Sequence, residues 1–505
     1  MSKTSSEYGK VYLVGAGPGD PGLITLRGVE CLSRAELLLY DYLVNPAILQ
    51  HVAAGAEVIC LGRHGRDRIW PQIEINATIV EAACAGRTVV RLKGGDPAVF
   101  ARGAEEIEAL ASAGIQWEVV PGVTAGLAAG SYAGISVTHR DLASAVAFVT
   151  GQETPDKSED VLDYGALAEF PGTLVIYMGV TTARRWTSAL IAAGKSPQTP
   201  AAIVRNCSLP NQRSIRCSLS EVPDRLEEKD RLRPPVIVIV GAVAALDESL
   251  NWFEQLPLFG KTVLVTRPIH QVEAVARPLR ALGANVVVQS AIQISDPADW
   301  QPVDAALDNL GRYDWLVFSS SNGARRLLNR LCQRGGDMRN LAGVKLAAIG
   351  PGTAAELARF HLSADLQPED FRAESLASAL ESEAADRRFL LARASRGREV
   401  LADSLNACGA DVDQIVVYDS QDVATADPDV QTLMDDRQVD WITVTSSAIA
   451  RSLDHMFGGQ LGECSLASIS PVTTATLREL GLEPTVEAKT YTMDGVVEAI
   501  LSVTQ

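Results

Sequence analysis

Three glycine-rich strings in the first half of the chain combine close backbone approach with charge, the combination needed to hold a small charged ligand. The first is Gly15-Ala16-Gly17-Pro18-Gly19-Asp20-Pro21-Gly22. Glycine lets a chain turn sharply and lets a ligand come close to the main chain. The spacing is not G-x-G-x-x-G, and Pro18 removes an N–H that a phosphate would use, so a dinucleotide is disfavoured. The second runs from Arg91 through Lys93, Gly94, Gly95 and Asp96 to Pro97, then on to Arg102 and Gly103. Its paired glycines expose amides and carbonyls that suit the doubly charged end of a methionine-like molecule. Asp96 reads equally as the N-cap of a helix starting at Pro97. The third joins Val120-Pro121-Gly122-Val123-Thr124-Ala125-Gly126 to Thr138-His139-Arg140-Asp141, where His139 is either structural or turned toward an anion.

The second half offers hydroxyls rather than glycine cradles. WLVFSSSNGARRL at 315–327 echoes WITVTSSAIARSL at 441–453, and LAAIGPGTAAEL at 346–357 echoes LASISPVTTATL at 466–477. Each reads as strand, Ser/Thr-rich turn and helix, which predicts two similar lobes, each a small parallel sheet flanked by helices, with a ligand between them. No G-x-S-x-G string occurs there, so a nucleophilic serine elbow is not expected.

The elements that must position these strings alternate strand and helix, giving an α/β fold class throughout. Strands are expected at Val11–Val14, Leu37–Tyr40, Glu57–Leu61, Val89–Leu92 and Val236–Val240, with helices from Thr25 and through Ala104–Ala113. Pro257–Gly260 punctuates a linker, and a new series starts at Lys261–Val265. It continues with Ala284–Gln289, Trp315–Ser319, Leu346–Ile349, Phe389–Ala392, Gln414–Val417 and Trp441–Thr445. The length of 505 residues exceeds one ordinary core. We divide it into domains 8–255 and 256–505, the latter with one lobe of about 260–294 plus 421–505 and another of 297–418. A net charge of −17 argues against a nucleic-acid partner. The eight cysteines form no C-x-x-C pair, which predicts free thiols in a reducing cytoplasm and no metal. The N-terminus lacks the apolar core of a signal peptide, and no apolar run nears the roughly 18 residues that cross a bilayer, so no membrane partner is expected.

The strings GAGPGDPGLITLRG, YDYLV, PQIEIN, RLKGGDPAVFARG, VVPGVTAG, THRD and YMG, in that order over 8–255, resemble the S-adenosylmethionine-dependent uroporphyrinogen III C-methyltransferases. The resemblance implies the two-lobed tetrapyrrole methylase fold and methylation of uroporphyrinogen III at C2 and C7 to precorrin-2. It implies cofactor contacts, many through backbone, at Pro18, Gly94, Gly95, Asp96, Val99, Thr124, Ala125, Met178 and Cys207, with S-adenosylhomocysteine as product. Met178 reads alternatively as a gap-filling core residue. Asp41 matches the family's proton acceptor; a strand-end cap is the plainer reading. Arg63 stands where the family carries a proton-donating Lys, and Arg68 where it carries His; Arg is a poor acid but binds carboxylates bidentately. Arg91, Lys93, Arg102, His139 and Arg140 are then candidates to pair with the polycarboxylate substrate. The family analogy adds a homodimer formed through this half.

The stretch 260–503 resembles the uroporphyrinogen III synthases through VLVTRP, LGANVVVQSAIQI, DWLVFSSSNGAR, LAAIGPGTA, LLARASRGREVLADSLNACGADV, VVYDS, VTSSAI and SISPVTTATLRELG. It implies a two-lobed α/β synthase fold that closes hydroxymethylbilane with inversion of its last pyrrole and loss of water, chiefly by conformational control. Tyr418 matches the family's functional tyrosine and would help the hydroxyl leave; packing against the sheet is the alternative. Arg267, Ser320, Ser321, Asn322, Thr353, Ser446, Ser447, Thr473 and Thr474 fall at strand ends or helix starts, where they bind substrate carboxylates or simply cap helices. The expectation is a bifunctional enzyme. A methyltransferase joined to a synthase-like binding or regulatory module is the alternative.

Overall fold

The computed structural model describes residues 8–62, 70–152, 162–227, 232–268, 271–397 and 399–504. The chain divides into two units at Gly260/Lys261. Residues 256–260 belong with the first unit, because Phe259 packs edge-on to Phe253 at 5.4 Å and the Gly260 N–H donates to the Pro210 carbonyl at 3.1 Å.

The first unit opens with five strands: β1 (Val11–Gly15), β2 (Leu37–Tyr40), β3 (Glu57–Cys60), β4 (Val89–Lys93) and β5 (Trp117–Val120). They form a wholly parallel sheet in the order β3-β2-β4-β1-β5. Every residue of β1 and β4 is buried, as a central parallel strand covered on both faces requires. Helices α1 (Leu26–Leu32), α2 (Gln72–Cys84) and α3 (Gly103–Ser112) serve this sheet, and Thr25 starts α1 by accepting the Gly28 N–H at 3.0 Å. Helix α4 (Ala125–Tyr132) leads into a second sheet of β6 (Val146–Thr150), β7 (Thr173–Tyr177), β8 (Pro200–Arg205), β9 (Arg213–Ser218) and β10 (Val236–Val240). Its order is β6-β7-β10-β8-β9, and only β6 and β7 run parallel. Small residues on α4, Ala128 and Ala129, bury against Val175 and Ile239.

The second unit contains β11 (Thr262–Val265), β12 (Asn285–Val288), β13 (Ile292–Ser295), β14 (Trp315–Phe318), β15 (Lys345–Ala348), β16 (Arg388–Ala394), β17 (Asp411–Asp422), β18 (Trp441–Val444), β19 (Ser465–Ser468) and β20 (Val486–Glu487). They build two sheets, β12-β11-β18-β19-β20 and β13-β17-β16-β14-β15. The internal echo is therefore a repeated structure: β14 and β18 each lead through a serine N-cap, Ser320 or Ser446, into a helix. Two details differ from the sequence expectation. Residues 292–295 join the sheet of the other lobe, because β13 pairs antiparallel with Asp419–Asp422 at the end of the long strand β17, while Ile292 stays in the core beside Leu264. That edge also makes the second sheet mixed rather than parallel. No helix among the described residues is long and apolar enough to cross a membrane.

Phe389 on β16 is fully buried and stacks on Trp315 of β14 at 6.3 Å. Phe389→Ala is expected to destabilise the second unit by about 3–5 kcal/mol through lost burial and a cavity, read as a lower urea midpoint of its unfolding transition.

Candidate functional site

Three loops leave the C-terminal edge of the parallel sheet, after β1, β4 and β5, and meet backbone to backbone. Gly17 and Gly95 exchange hydrogen bonds, Gly95 N–H to Gly17 O at 2.8 Å and Gly17 N–H to Gly95 O at 3.2 Å. A Cβ on Gly122 would lie 2.2 Å from the Gly95 carbonyl oxygen, and one on Gly15 would lie 2.6 Å from Gly122 Cα. Only hydrogen fits between these strands of backbone. On the far side the same loop is open: a Cβ on Gly94 would meet only Leu43 at 3.7 Å, and one on Gly95 nothing nearer than 3.8 Å. That space beside exposed backbone fits a ligand held through amides and carbonyls.

Asp96 ties the cradle together. One carboxylate oxygen accepts the Ala98 N–H at 2.7 Å and the other the Gly122 N–H at 3.0 Å. It is not the N-cap of a helix at Pro97, since α3 begins at Gly103 and residues 97–100 form a turn. Thr124 starts α4 and shares a 2.8 Å hydrogen bond with the Tyr177 hydroxyl, which also accepts the Gly126 N–H at 2.7 Å. Burial pushes the Tyr177 phenol up, so it stays a neutral clamp between β7 and α4. The sequence reading passed over Tyr177, although the YMG string contains it. Met178 follows in a left-handed conformation, φ 52°, and is 49% exposed, so it does not fill the core. Cys207 is buried with its sulfur 3.7 Å from the Ala125 carbonyl, and burial pushes its thiol up to about 12. Pro18 and Val99 are half-buried. The Asp20 N–H donates to Ser208 Oγ at 3.0 Å, and Tyr132 donates to Asp20 at 2.8 Å, joining the first loop to the second sheet.

Asp41 stands at the end of β2, half-buried, with its Oδ1 2.5 Å from Arg91 Nη2 and its Oδ2 accepting the Gly94 N–H at 3.3 Å. The structure corrects the reading of Arg91 and Lys93 as substrate ligands. They are 3% and 1% exposed, and both hold the buried carboxylate of Glu106, Arg91 Nε at 3.0 Å and Lys93 Nζ at 2.8 Å. A charge so enclosed and paired has no face left for a soluble anion. Arg102 is exposed and held by both oxygens of Glu105 at 2.7 Å. His139 accepts the Asp141 N–H on Nδ1 at 3.2 Å, and Arg140 is exposed beside it. Arg63 and Arg68 lie outside the described residues.

In the second unit Tyr418 is buried on β17 and shares a 3.1 Å hydrogen bond with Ser320. Burial raises its phenol, opposed by Ser320 and the positive charge of Arg396. Asn322 accepts from Gln271 at 2.7 Å, and Gln271 in turn accepts from Arg267, so the two lobes are bridged at this point. Arg267 otherwise meets the sulfur of Met493 at 3.1 Å, and its buried Nε has no hydrogen-bond partner among the described residues. Ser320 and Ser446 cap helices by accepting N–H groups of Gly323 and Ile449. Ser321 opens the first of these helices, and Ser447, which opens the second, accepts from Thr476 at 2.8 Å. Thr353, Thr473 and Thr474 are 4%, 2% and 5% exposed, and Thr474 is engaged with Ser468 at 2.6 Å. Thr473 is likewise engaged with Ser470 at 3.3 Å, and the burial of these three threonines leaves them little face for a soluble anion, which corrects their reading as substrate ligands.

Gly122→Ala is expected to force the third loop away from the second and lower the melting temperature of the first unit, whereas Ala in place of Gly114, an exposed helix-end glycine with nothing within 4 Å, disturbs only its own turn. Differential scanning calorimetry of the two variants checks the contrast.

Comparison with known proteins agrees with this geometry. Residues 10–223 match the tetrapyrrole (corrin/porphyrin) methylases and residues 273–498 match uroporphyrinogen-III synthase. A porphyrin biosynthesis protein of Ruminiclostridium josui is 33% identical over 98% of both chains. A uroporphyrinogen-III C-methyltransferase of Bacillus subtilis is 37% identical over 72% of this chain and 74% of its own. An S-adenosyl-L-methionine-dependent uroporphyrinogen III methyltransferase of Methanosarcina barkeri is 45% identical over 49% of this chain and 96% of its own. The chain belongs to the porphyrin-biosynthesis family in which a tetrapyrrole methylase is joined to a uroporphyrinogen-III synthase, and it is a bifunctional enzyme of tetrapyrrole biosynthesis.

Proposed function

We propose that the second unit cyclises hydroxymethylbilane to uroporphyrinogen III and that the first unit methylates that product at C2 and C7 to precorrin-2. The observation that carries the methyltransferase reading is the cradle formed by the Gly15, Gly95 and Gly122 loops, open on one side beside Asp41.

The Gly94–Asp96 loop, Thr124, Ala125, Pro18, Val99, Met178 and Cys207 would hold S-adenosylmethionine, which would supply a sulfonium-activated methyl group with a neutral thioether as its leaving group. The chain's own part is orientation and proton removal. Asp41, steered by Arg91 and the Gly94 amide, accepts the proton that the methylated carbon's neighbourhood sheds as the macrocycle returns to neutrality. Arg102 and Arg140 are exposed cations suited to the substrate's carboxylates, and His139 adjoins Arg140.

In the second unit the Tyr418 phenol, kept protonated by burial, donates to the departing hydroxyl, which leaves as water while the terminal pyrroles join. Arg267, without a carboxylate partner among the described residues and in reach of both lobes through Gln271, suits a substrate carboxylate.

The intact chain given uroporphyrinogen III and methyl-labelled cofactor should yield a product carrying two labelled methyls by mass spectrometry; unlabelled macrocycle alone contradicts the reading. Given hydroxymethylbilane it should release the type III isomer, and spontaneous type I alone would reduce the second unit to a binding module. Asp41→Asn should lower methylation by about 10²-fold or more while cofactor affinity stays within severalfold.

A further inference from the structure

The mechanism leaves unused Glu106 and Lys93, the most completely buried charged groups among the described residues, which pack against Arg91. Glu106, on the first turn of α3, is 1% exposed. One of its oxygens, Oε1, receives three donors: Arg91 Nε at 3.0 Å, Lys93 Nζ at 2.8 Å and Gln72 Nε2 at 3.1 Å. The other, Oε2, is buried with no hydrogen-bond partner among the described residues. Arg91 spans the cluster, its Nε on Glu106 and its Nη2 on Asp41. Arg91, Lys93 and Glu106 are thus enclosed together, and the half-buried Asp41 at their edge completes a set of two cations and two carboxylates that balance in charge.

Such an arrangement is an expensive way to pack β4 against α3. Desolvating three charges gains little over an apolar core of the same volume, whereas removing one partner strands the rest. An apolar core, however, could not aim a guanidinium at Asp41. We propose that Glu106 and Lys93 are positioning residues for methyl transfer: Glu106 anchors Arg91 so that its free end holds Asp41, and Lys93 cancels the charge Glu106 brings. This rests on the reading of Asp41 as the proton acceptor.

Among the described residues, the groups that face Asp41 are few. Tyr42 adjoins it on its own loop, Arg91 and Lys93 come from β4, Glu106 from α3, and Glu105 lies near Lys93. Burial, then the charge on Arg91, pushes the Lys93 ammonium down, with Glu106 opposing. Lys93→Met therefore leaves Asp41 and Glu106 competing for one guanidinium. Excess negative charge favours the protonated acid, so the acid limb of the kcat–pH profile moves up. Adding Glu106→Gln to Lys93→Met restores the balance of Arg91 with Asp41, and the limb returns. Glu106→Gln alone lets Lys93 shed its proton, so its limb moves less than that of Lys93→Met. A cluster that only packs the core predicts the opposite order, with the double variant worse than either single one.

The test measures kcat against pH for the full chain with uroporphyrinogen III, alongside the Asp41 carboxyl 13C signal in protein without cofactor, assigned by its loss in Asp41→Asn. We expect Lys93→Met to move the limb and the signal's midpoint up by about one pH unit, roughly tenfold in rate below the limb, and Lys93→Met/Glu106→Gln to reverse both. Equal midpoints in the two variants, or in Lys93→Met and the unchanged protein, overturn the proposal. If Lys93→Met does not fold, Gln72→Glu decides. It puts a second carboxylate beside Glu106 from a half-buried helix start that tolerates an acid, and it should raise the midpoint; an unmoved midpoint overturns the proposal. Absence of turnover in the unchanged protein would instead contradict the methyltransferase reading, and the 13C titration would still judge the cluster.

Discussion

The first unit depends on the contact of three main-chain segments that have no side chains between them. Gly15, Gly95 and Gly122 bring the loops after β1, β4 and β5 within van der Waals or hydrogen-bond reach of one another, and a single methyl group at Gly122 would overlap a carbonyl oxygen. Parallel neighbours β4-β1-β5 put these loops on one edge. Asp96 and Tyr177 then fasten the edge to the start of α4, and through it to the second sheet. A ligand that binds through backbone needs this rigidity, because loops that must be ordered on binding weaken it.

Around the cradle, charge is sorted by depth. The cations of the glycine-rich strings lie at different depths. Arg91 and Lys93 are enclosed and answer to Glu106 and Asp41. Arg102 and Arg140 remain at the surface, where a polyanion can reach them. The net charge of −17 sets the average field, but an anionic substrate meets the local one. The second unit relies on hydroxyls and helix starts instead, with Tyr418 and Arg267 set where the two lobes are bridged by Gln271 and Asn322.

Much of this was legible in the residues. The strands announced themselves as short apolar runs, and Leu37–Tyr40 and Val236–Val240 fall where those runs put them. The duplicated strand–serine–helix units of the second half were visible as an internal echo and are realised with matching caps. What sequence hid was partnership at a distance. Nothing local told Ile292–Ser295 to pair with Asp419–Asp422 instead of staying beside β12. Arg91 and Lys93 look like surface cations in a glycine-rich string, and only the packing of α3 over β4 shows that Glu106 claims both. Asp96 looked like a helix cap because a proline follows it, but its second oxygen is spent on Gly122, twenty-six residues away. Tyr177 was concealed because its hydroxyl acts on residues more than fifty positions away in the chain.

The account's central claim is that the glycine cradle of the first unit is a built site for the methyl donor and its product. Isothermal titration of S-adenosylhomocysteine into the intact chain measures it directly. One site per chain, with saturating heat, is the predicted result. No heat, or binding that survives unchanged when the Gly95–Gly122 contact is broken by substitution, would contradict it.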